Sequence, residues 1–179
     1  MNEIIKDIFY DKRNNVRNGL KISQHRFAVW LPSNKQDTTP IDKVRHLAYK
    51  DGVMRFLITE LGGATNYNAE GYYSDDAKII HREDVIVCES YVEIKMLKTQ
   101  ATLFRALCNL LCMELDQKSI AGVVDGEMIF FAPTLAYRTN PHKTWHPDTK
   151  NIIRIRDSYI IPALKKSKLS LDSKYLINF

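Results

Sequence analysis

Long apolar runs are missing from this sequence of 179 residues, and none approaches the roughly 18 residues that a membrane-spanning helix needs. Residues 1–15 contain no long apolar core and no small-residue cleavage site, so we expect no secretory signal. A phosphate-binding loop, a dinucleotide-binding glycine fingerprint and a serine-nucleophile elbow are missing too. The sequence therefore indicates a protein without a membrane partner, and no common short motif identifies its function.

Cysteine is also scarce. The three cysteines are Cys88, Cys108 and Cys112, and the last two lie in an apolar pattern of helical spacing. An odd number is typical of free thiols in a reducing cytoplasm and not of a disulfide framework. No His or Cys stands at a spacing that would complete a metal site with Cys108 and Cys112, so we expect both to pack in the core. We predict a cytoplasmic protein without a bound metal.

Charge of both signs is present, with a net value of +5, but it is unevenly spread. Residues 60–93 contain eight carboxylates and two basic side chains, and residues 133–179 contain nine basic side chains and three carboxylates. An acidic middle suits a cationic ligand, and a basic C-terminal segment suits phosphate. The simpler alternative is two solvated surfaces that complement each other.

Hydrophobic periodicity predicts the order of the secondary structure. Strand-forming residues predict a first strand over residues 26–31. Thr39 and Pro40 predict the start of a helix, which Gly52 weakens and which ends at Gly62-Gly63. Two strands are then predicted at residues 71–74 and 85–94, a helix capped by Thr99, and strands at residues 119–124 and 127–132 joined by Asp125-Gly126.

This order predicts an α+β, ferredoxin-like βαββαβ fold. Its antiparallel sheet carries two helices on one face and a β-hairpin extension. We expect three regions: a basic, helical N-terminal segment at residues 1–25, the ferredoxin-like domain at residues 26–132, and a basic C-terminal extension at residues 133–179. The last region is expected to be an arm that reaches over its own domain or a neighbouring subunit.

A polar, glycine-rich and tyrosine-bearing stretch at residues 61–76 is a candidate small-molecule site. The alternative is a helix cap followed by an ordinary hairpin. Carboxylates beside tyrosines can bind a cation through charge and through ring faces. The candidate catalytic residues are Tyr67, Glu70, Tyr72, Asp75 and Glu83, and the candidate ligand-binding residues are Gly63, Thr65, Asn66, Tyr73, His142, Lys143 and Arg154.

Residues 41–131 resemble the small phage S-adenosylmethionine (SAM) lyases in order and local pattern. The resemblance includes a helix ending at glycine, a polar stretch, a Gly-x-Tyr-x-acid motif, a strand, a second helix and a hairpin. The motif is Gly71-Tyr72-Tyr73-Ser74-Asp75 in this chain. The family has glutamate at the last position, so Asp75 is a departure, and Glu70 and Glu83 are alternatives for the essential acid.

The resemblance implies a reaction in which the carboxylate of the substrate attacks its own γ-carbon and expels methylthioadenosine, leaving homoserine lactone. It implies that the acid and the tyrosine hydroxyls position the substrate, that no cofactor is required, and that the chain forms a homotrimer with the site between subunits. The added ends suggest a larger ligand, the SAM–AMP conjugate that signals in some CRISPR defence systems. His142, Lys143 and Arg154 would then contact the phosphate.

A second resemblance leads to a different class of function. Small bacterial and phage ferredoxin-like proteins share the Gly-Gly-x-Thr turn, which is Gly62-Gly63-Ala64-Thr65 here. Such a protein would sequester a nucleotide or a protein partner without chemistry. RNA binding through the sheet and the basic extension is a further alternative, although the candidate strands carry no RNA-binding aromatic signature.

Overall fold

The structure, a computed structural model, describes residues 25–36, 38–74, 77–92, 97–132 and 149–169. Its strands are β1 (His25–Pro32), β2 (Thr65–Ser74), β3 (Ile80–Val92), β4 (Ile120–Val124) and β5 (Glu127–Phe131). They form one sheet in the order β2-β3-β1-β4-β5, and every neighbouring pair is antiparallel. The N-terminal helix expected from the sequence lies outside the described residues.

Two long helices connect the strands. Helix α1 (Lys43–Leu61) follows β1, and helix α2 (Leu97–Glu114) follows β3. Both pack on the same side of the sheet, because their buried side chains join one core with Phe27, Val29 and Leu31 of β1. This arrangement confirms the predicted α+β, ferredoxin-like fold, and β5 is the expected hairpin extension. Within the described residues, every helix is too short or too polar to span a membrane.

Part of the basic C-terminal extension is helical and belongs to the same core. It contains α3 (Thr149–Ile155), a π-helical segment (Arg156–Ile160) and α4 (Ile161–Lys166). Ile155 and Ile160 are completely buried against the residues of α1 and α2. In its described part, the extension therefore completes the helical layer.

Helix α1 runs through Gly52 without a break, although the sequence suggested a weak point there. A Cβ atom at this position would lie 2.8 Å from Cδ1 of Ile160 and 3.1 Å from the carbonyl oxygen of Tyr159. Glycine is therefore required because the π-helical segment approaches the helix backbone closely. The contact explains why a residue of low helix propensity is kept in the helix interior.

Both predicted helix starts were wrong by a few residues. Helix α1 begins at Lys43, and the side chain of Asp42 caps it by accepting a hydrogen bond of 3.0 Å from the Arg45 amide. Thr39 and Pro40 belong to the preceding loop instead, where Pro40 forms a bridge to Asn34 and the neighbouring backbone is already hydrogen-bonded. Thr99 lies inside α2, which has already begun at Leu97.

Strand β2 is longer than its sequence suggested. It covers ten residues and pairs with β3 from Thr65 opposite Glu89 to Ser74 opposite Ile80. Most of its side chains are exposed on both faces, so apolar alternation, the usual sign of a strand, is missing. The predicted hairpin turn is confirmed, because Asp125 and Gly126 adopt φ angles of 53° and 90° between β4 and β5.

Candidate functional site

The sheet has two unlike faces. The face that α1 and α2 cover, the helix face, carries the large core residues of β1 and β3. The other, which we term the open face, has a small buried apolar patch of Ala28, Val85, Val87 and Val123. Trp30 and Ala69 pack against this patch. Directly opposed residues of antiparallel strands share a face, so the register determines which candidate residues lie together.

The register divides the candidate site residues between the two faces. The alternation of side chains along β2 and β3 places four of the candidates on the open face, namely Thr65, Tyr67, Tyr73 and Glu83. By the same alternation, Asn66, Glu70 and Tyr72 lie on the opposite side of β2. Gly63 lies in the turn that precedes β2. Asp75, His142 and Lys143 lie outside the described residues.

Glu83 is a half-buried carboxylate on the open face. Burial raises its pKa, and a hydrogen bond from the backbone of Asn34 opposes that shift only partly. The residue opposite is Gly71, where a Cβ atom would come within 3.6 Å of Cγ of Glu83 and 3.1 Å of a methyl group of Val85. Glycine therefore lets Val85 pack closely against β2, beside a carboxylate whose burial is only partly compensated. A cation bound there would restore the charged form of Glu83.

Glu70 lies in a different environment, on the side of the two-stranded β2–β3 ribbon that is opposite to Glu83. Its carboxylate accepts hydrogen bonds from the Tyr72 hydroxyl at 3.0 Å and from Arg82 at 2.5 Å. The hydrogen bonds from Tyr72 and Arg82 lower its pKa. Its charge is thus already paired and solvent-exposed, which makes Glu70 less suited than Glu83 to attract a cationic ligand.

Arg26, which the sequence analysis did not single out, forms the centre of the open face together with Glu89. The Arg26 guanidinium donates to Oε2 of Glu89 through Nε at 2.9 Å and through Nη2 at 2.5 Å. Nη2 also donates to the Tyr67 hydroxyl at 3.3 Å. The side chain thereby extends from β1 over β3 towards β2. The available signal was that Arg26 is the one charged residue in an otherwise apolar strand.

Tyr73 and His81 complete the described part of the open face at its outer end. Their rings are stacked, with centroids 5.1 Å apart and planes inclined by 20°. Tyr73 is 44% exposed, so a substantial part of its surface remains available to solvent. This end of the ribbon can therefore offer a flat aromatic surface to a planar ligand.

Arg154 lies in the helical layer and not on the open face. Its Nη1 is 3.2 Å from Oε1 of Glu60, at the end of α1. The Tyr159 hydroxyl donates to the same carboxylate oxygen at 2.5 Å. These contacts join the C-terminal segment to α1, so in the described chain Arg154 has a structural partner.

The described residues contain no group of three or more His, Cys, Asp or Glu side chains that could hold a metal ion. The three cysteines are buried, as expected for core packing. Burial raises the pKa of the Cys88 thiol to about 12 and that of Cys108 well above its ordinary value. Neither Cys88 nor Cys108 is therefore activated as a nucleophile.

Structural comparison finds a phage SAM lyase in complex with S-methyl-5′-thioadenosine. The match covers 66% of this chain and 96% of the lyase chain, with 14% sequence identity and a TM-score of 0.50. A phage SAM lyase in the apo state matches over the same shares, with 14% identity and a TM-score of 0.46. No protein-family model and no curated protein sequence matches this chain. The resemblance to phage SAM lyases indicated by the sequence is confirmed as a shared fold.

Proposed function

We propose that this protein is a lyase that cleaves SAM, or the SAM–AMP conjugate, to homoserine lactone and methylthioadenosine or its AMP conjugate. The observation that carries the proposal is the similarity to a phage SAM lyase that holds S-methyl-5′-thioadenosine, over 96% of that chain. The half-buried Glu83 on the open face supports it, because burial raises the pKa of this carboxylate and a bound cation would favour its charged form. Degradation of a defence signal is the biological role that we assign to this activity.

The proposed reaction is an internal displacement. One carboxylate oxygen of the substrate forms a bond to the γ-carbon while the bond from that carbon to sulfur breaks. The electron pair remains on sulfur, which leaves as a neutral thioether, and the ring that closes is the lactone. No water and no external acid or base enters the balance, so the protein contributes mainly by positioning, which can be worth about 7–11 kcal/mol in favourable cases.

The open face suits this displacement because both reacting charges disappear along the reaction path. The carboxylate and the sulfonium are charged in the substrate and largely neutralised in the transition state. An apolar environment therefore disfavours the ground state relative to the transition state. Ala28 and Val87 form a buried apolar layer beneath the polar side chains of the open face, with exposures of 0% and 2%.

The proposed roles follow from the positions. Glu83 meets the sulfonium end, the Tyr67 hydroxyl orients the amino-acid part, and the exposed ring of Tyr73 contacts the adenosine. Thr65, which lies opposite Glu89 at the beginning of β2, is a further ligand contact. The phosphate of SAM–AMP is assigned to His142 and Lys143, which remains a prediction from the sequence.

We further propose that the chain assembles as a homotrimer with the site between subunits, as the resemblance implies. Exposed apolar side chains on and near the open face support an assembly, among them Tyr91 at 50% and Phe130 at 66% exposure. Light scattering at micromolar concentration should give three times the chain mass. A monomer mass would contradict the assembly and leave the reaction to be tested separately.

Incubation of the folded protein with SAM and with SAM–AMP, followed by chromatography, tests the reaction. We expect methylthioadenosine or its AMP conjugate together with homoserine lactone. Folded protein that leaves both substrates intact would contradict the lyase proposal. Glu127→Gln is a suitable control variant because Glu127 is an exposed carboxylate at the start of β5, outside the proposed site.

A binding module without chemistry is the alternative that the exposed tyrosines favour. Tyr67 is 44% exposed and Tyr91 is 50% exposed on the open face, where they can stack on a base. Such a module would release its ligand unchanged after denaturation. If the ligand is RNA, affinity should fall steeply with salt.

A further inference from the structure

The guanidinium of Arg26 is fixed in place but not fully used. An arginine has five N–H donors. Three of them are engaged, two by Glu89 and one by Tyr67. The remaining two belong to Nη1, for which the described residues provide no acceptor. Because the Arg26 side chain is 35% exposed, this pair of donors can reach a ligand.

The partners of Arg26 also retain capacity for a ligand. Both hydrogen bonds to Glu89 end on Oε2, so in the described chain Oε1 accepts no hydrogen bond. The carboxylate side chain of Glu89 is only 12% exposed, which makes an additional positively charged partner favourable. The Tyr67 hydroxyl accepts from Arg26 and still has its own proton to donate.

These free atoms form a dipolar set on one surface. Arg26 Nη1 and the Tyr67 hydroxyl are donors, and Oε1 of Glu89 is an acceptor with negative charge. The combination matches a group that carries a carboxylate and an ammonium next to each other. We propose that Arg26, Tyr67 and Glu89 bind the α-amino-acid end of the substrate, with its carboxylate at Arg26 and its ammonium at Glu89.

The assignment rests on the proposed function and specifies the substrate class further. A phosphate group fits this place less well than an amino acid, because Glu89 would repel it at close range. Arg26 needs to hold only one carboxylate oxygen, so the other remains available to attack the γ-carbon. The three side chains are therefore positioning residues that determine which end of the substrate lies over β1 and β3.

Binding of two ligands that differ at this end tests the inference. S-Adenosylhomocysteine carries the amino-acid group and has no sulfonium, whereas methylthioadenosine lacks the amino-acid group. Calorimetric titration of the whole protein should show that Arg26→Gln lowers the affinity for S-adenosylhomocysteine roughly 10- to 100-fold, which is the cost of losing a charged hydrogen bond. Methylthioadenosine should keep its affinity within about twofold.

Two further variants make the result interpretable. Arg26→Gln leaves the carboxylate of Glu89 without its partner, so the double variant Arg26→Gln/Glu89→Gln removes both charges and preserves similar volumes. Arg55→Gln, on the exposed side of α1, is the matched arginine control and should bind both ligands as the wild type does. Thermal unfolding verifies that each variant is folded.

The outcomes separate this inference from the proposed function. The assignment of Arg26, Tyr67 and Glu89 is overturned if a folded double variant loses affinity for both ligands equally or for neither. Cleavage of SAM by the wild type would still support the proposed lyase function in that case. A wild-type protein that binds neither ligand and leaves SAM intact overturns the proposed function, and the assignment with it.

Discussion

The two faces of the sheet differ although the same strands form both. On β1, the helix face presents Phe27 and Leu31, which are completely buried under α1 and α2. One residue away, the open face presents Arg26 and Ala28, a charged side chain beside a small apolar one. A period of two residues thus lets a single strand contribute to the core and to a candidate site. Mutations on the two faces should consequently affect different properties.

The largest effect is expected at Glu83. Glu83→Gln keeps the shape of the side chain and removes the charge that we assign to the sulfonium, so kcat/KM for SAM should fall roughly 10- to 100-fold. Most of this loss should be a higher KM, because the sulfonium is charged in the bound substrate and largely neutralised in the transition state. The free energy of unfolding should change little. In the wild type, kcat/KM should fall as the pH drops through the raised pKa of Glu83, at a higher pH than an ordinary carboxylate would give.

Glu70→Gln sharpens the same comparison. Glu70 lies on the other side of β2, where Tyr72 and Arg82 already bind its carboxylate. We expect a smaller loss of kcat/KM than for Glu83→Gln. If Glu70→Gln has the larger effect, the essential acid is on the helix-face side of the ribbon and the proposed site must move there.

Substitutions in the helical layer should change the free energy of unfolding. Gly52→Ala places a methyl group against Ile160 and the carbonyl of Tyr159, and overpacking of this kind costs about 1–3 kcal/mol. The better helix propensity of alanine offsets about 1 kcal/mol of that cost. Urea unfolding should therefore show a net loss of about 1 kcal/mol with kcat/KM unchanged. Gly63→Ala is the stability control, because a Cβ atom there meets nothing within 4 Å.

Arg154→Ala tests whether the helical layer contributes to ligand binding. The pair of Arg154 and Glu60 is partly exposed, so its loss should lower the free energy of unfolding by about 0.5 kcal/mol. If Arg154 is structural, kcat/KM for SAM and for SAM–AMP should change by the same factor. A loss confined to SAM–AMP would instead support the phosphate contact that the sequence suggested.

The smallest effect is expected at the β4–β5 hairpin at one edge of the sheet. Asp125 contacts Nδ1 of His25 at 2.6 Å, and this contact lowers the pKa of the aspartate. The contact therefore contributes to the free energy of unfolding at a pH above the pKa that Asp125 has in the unfolded state. That contribution is lost as the pH falls through the lower pKa that Asp125 has in the folded state. Because Asp125 is 43% exposed, Asp125→Asn should cost about 0.5 kcal/mol or less at neutral pH. Urea unfolding across this pH range should show no such contribution in the variant.

The ferredoxin-like fold was predictable because its signals are local. Alternation along β3 and the Asp125-Gly126 turn both indicated the correct elements. The length of β2 was not predictable in the same way, because a strand exposed on both faces shows no apolar period. The first turn of α1 was also misplaced, since the loop contact between Asn34 and Pro40 competes with helix formation.

The candidate site was predictable only in part. A polar stretch rich in tyrosine and carboxylates indicated the correct ribbon. It did not reveal that Glu70 and Glu83 lie on opposite sides, since that depends on the register between β2 and β3. Tyr67 was among the predicted site residues, but Arg26 and the grouping of the two with Glu89 were missed for the same reason, because the three residues lie on three strands and come together only across the sheet.

The contact between Gly52 and the π-helical segment also has a consequence for biosynthesis. Residues that cover α1, such as Ile155 and Ile160, are translated long after the helix they protect. Until these residues emerge from the ribosome, the apolar surface of α1 that they bury stays exposed in the nascent chain. Such surfaces are prone to aggregation and to binding by chaperones. Folding of this protein should therefore be completed late in translation, and a ribosome-stalled chain ending at residue 132 should be more sensitive to protease than the released one.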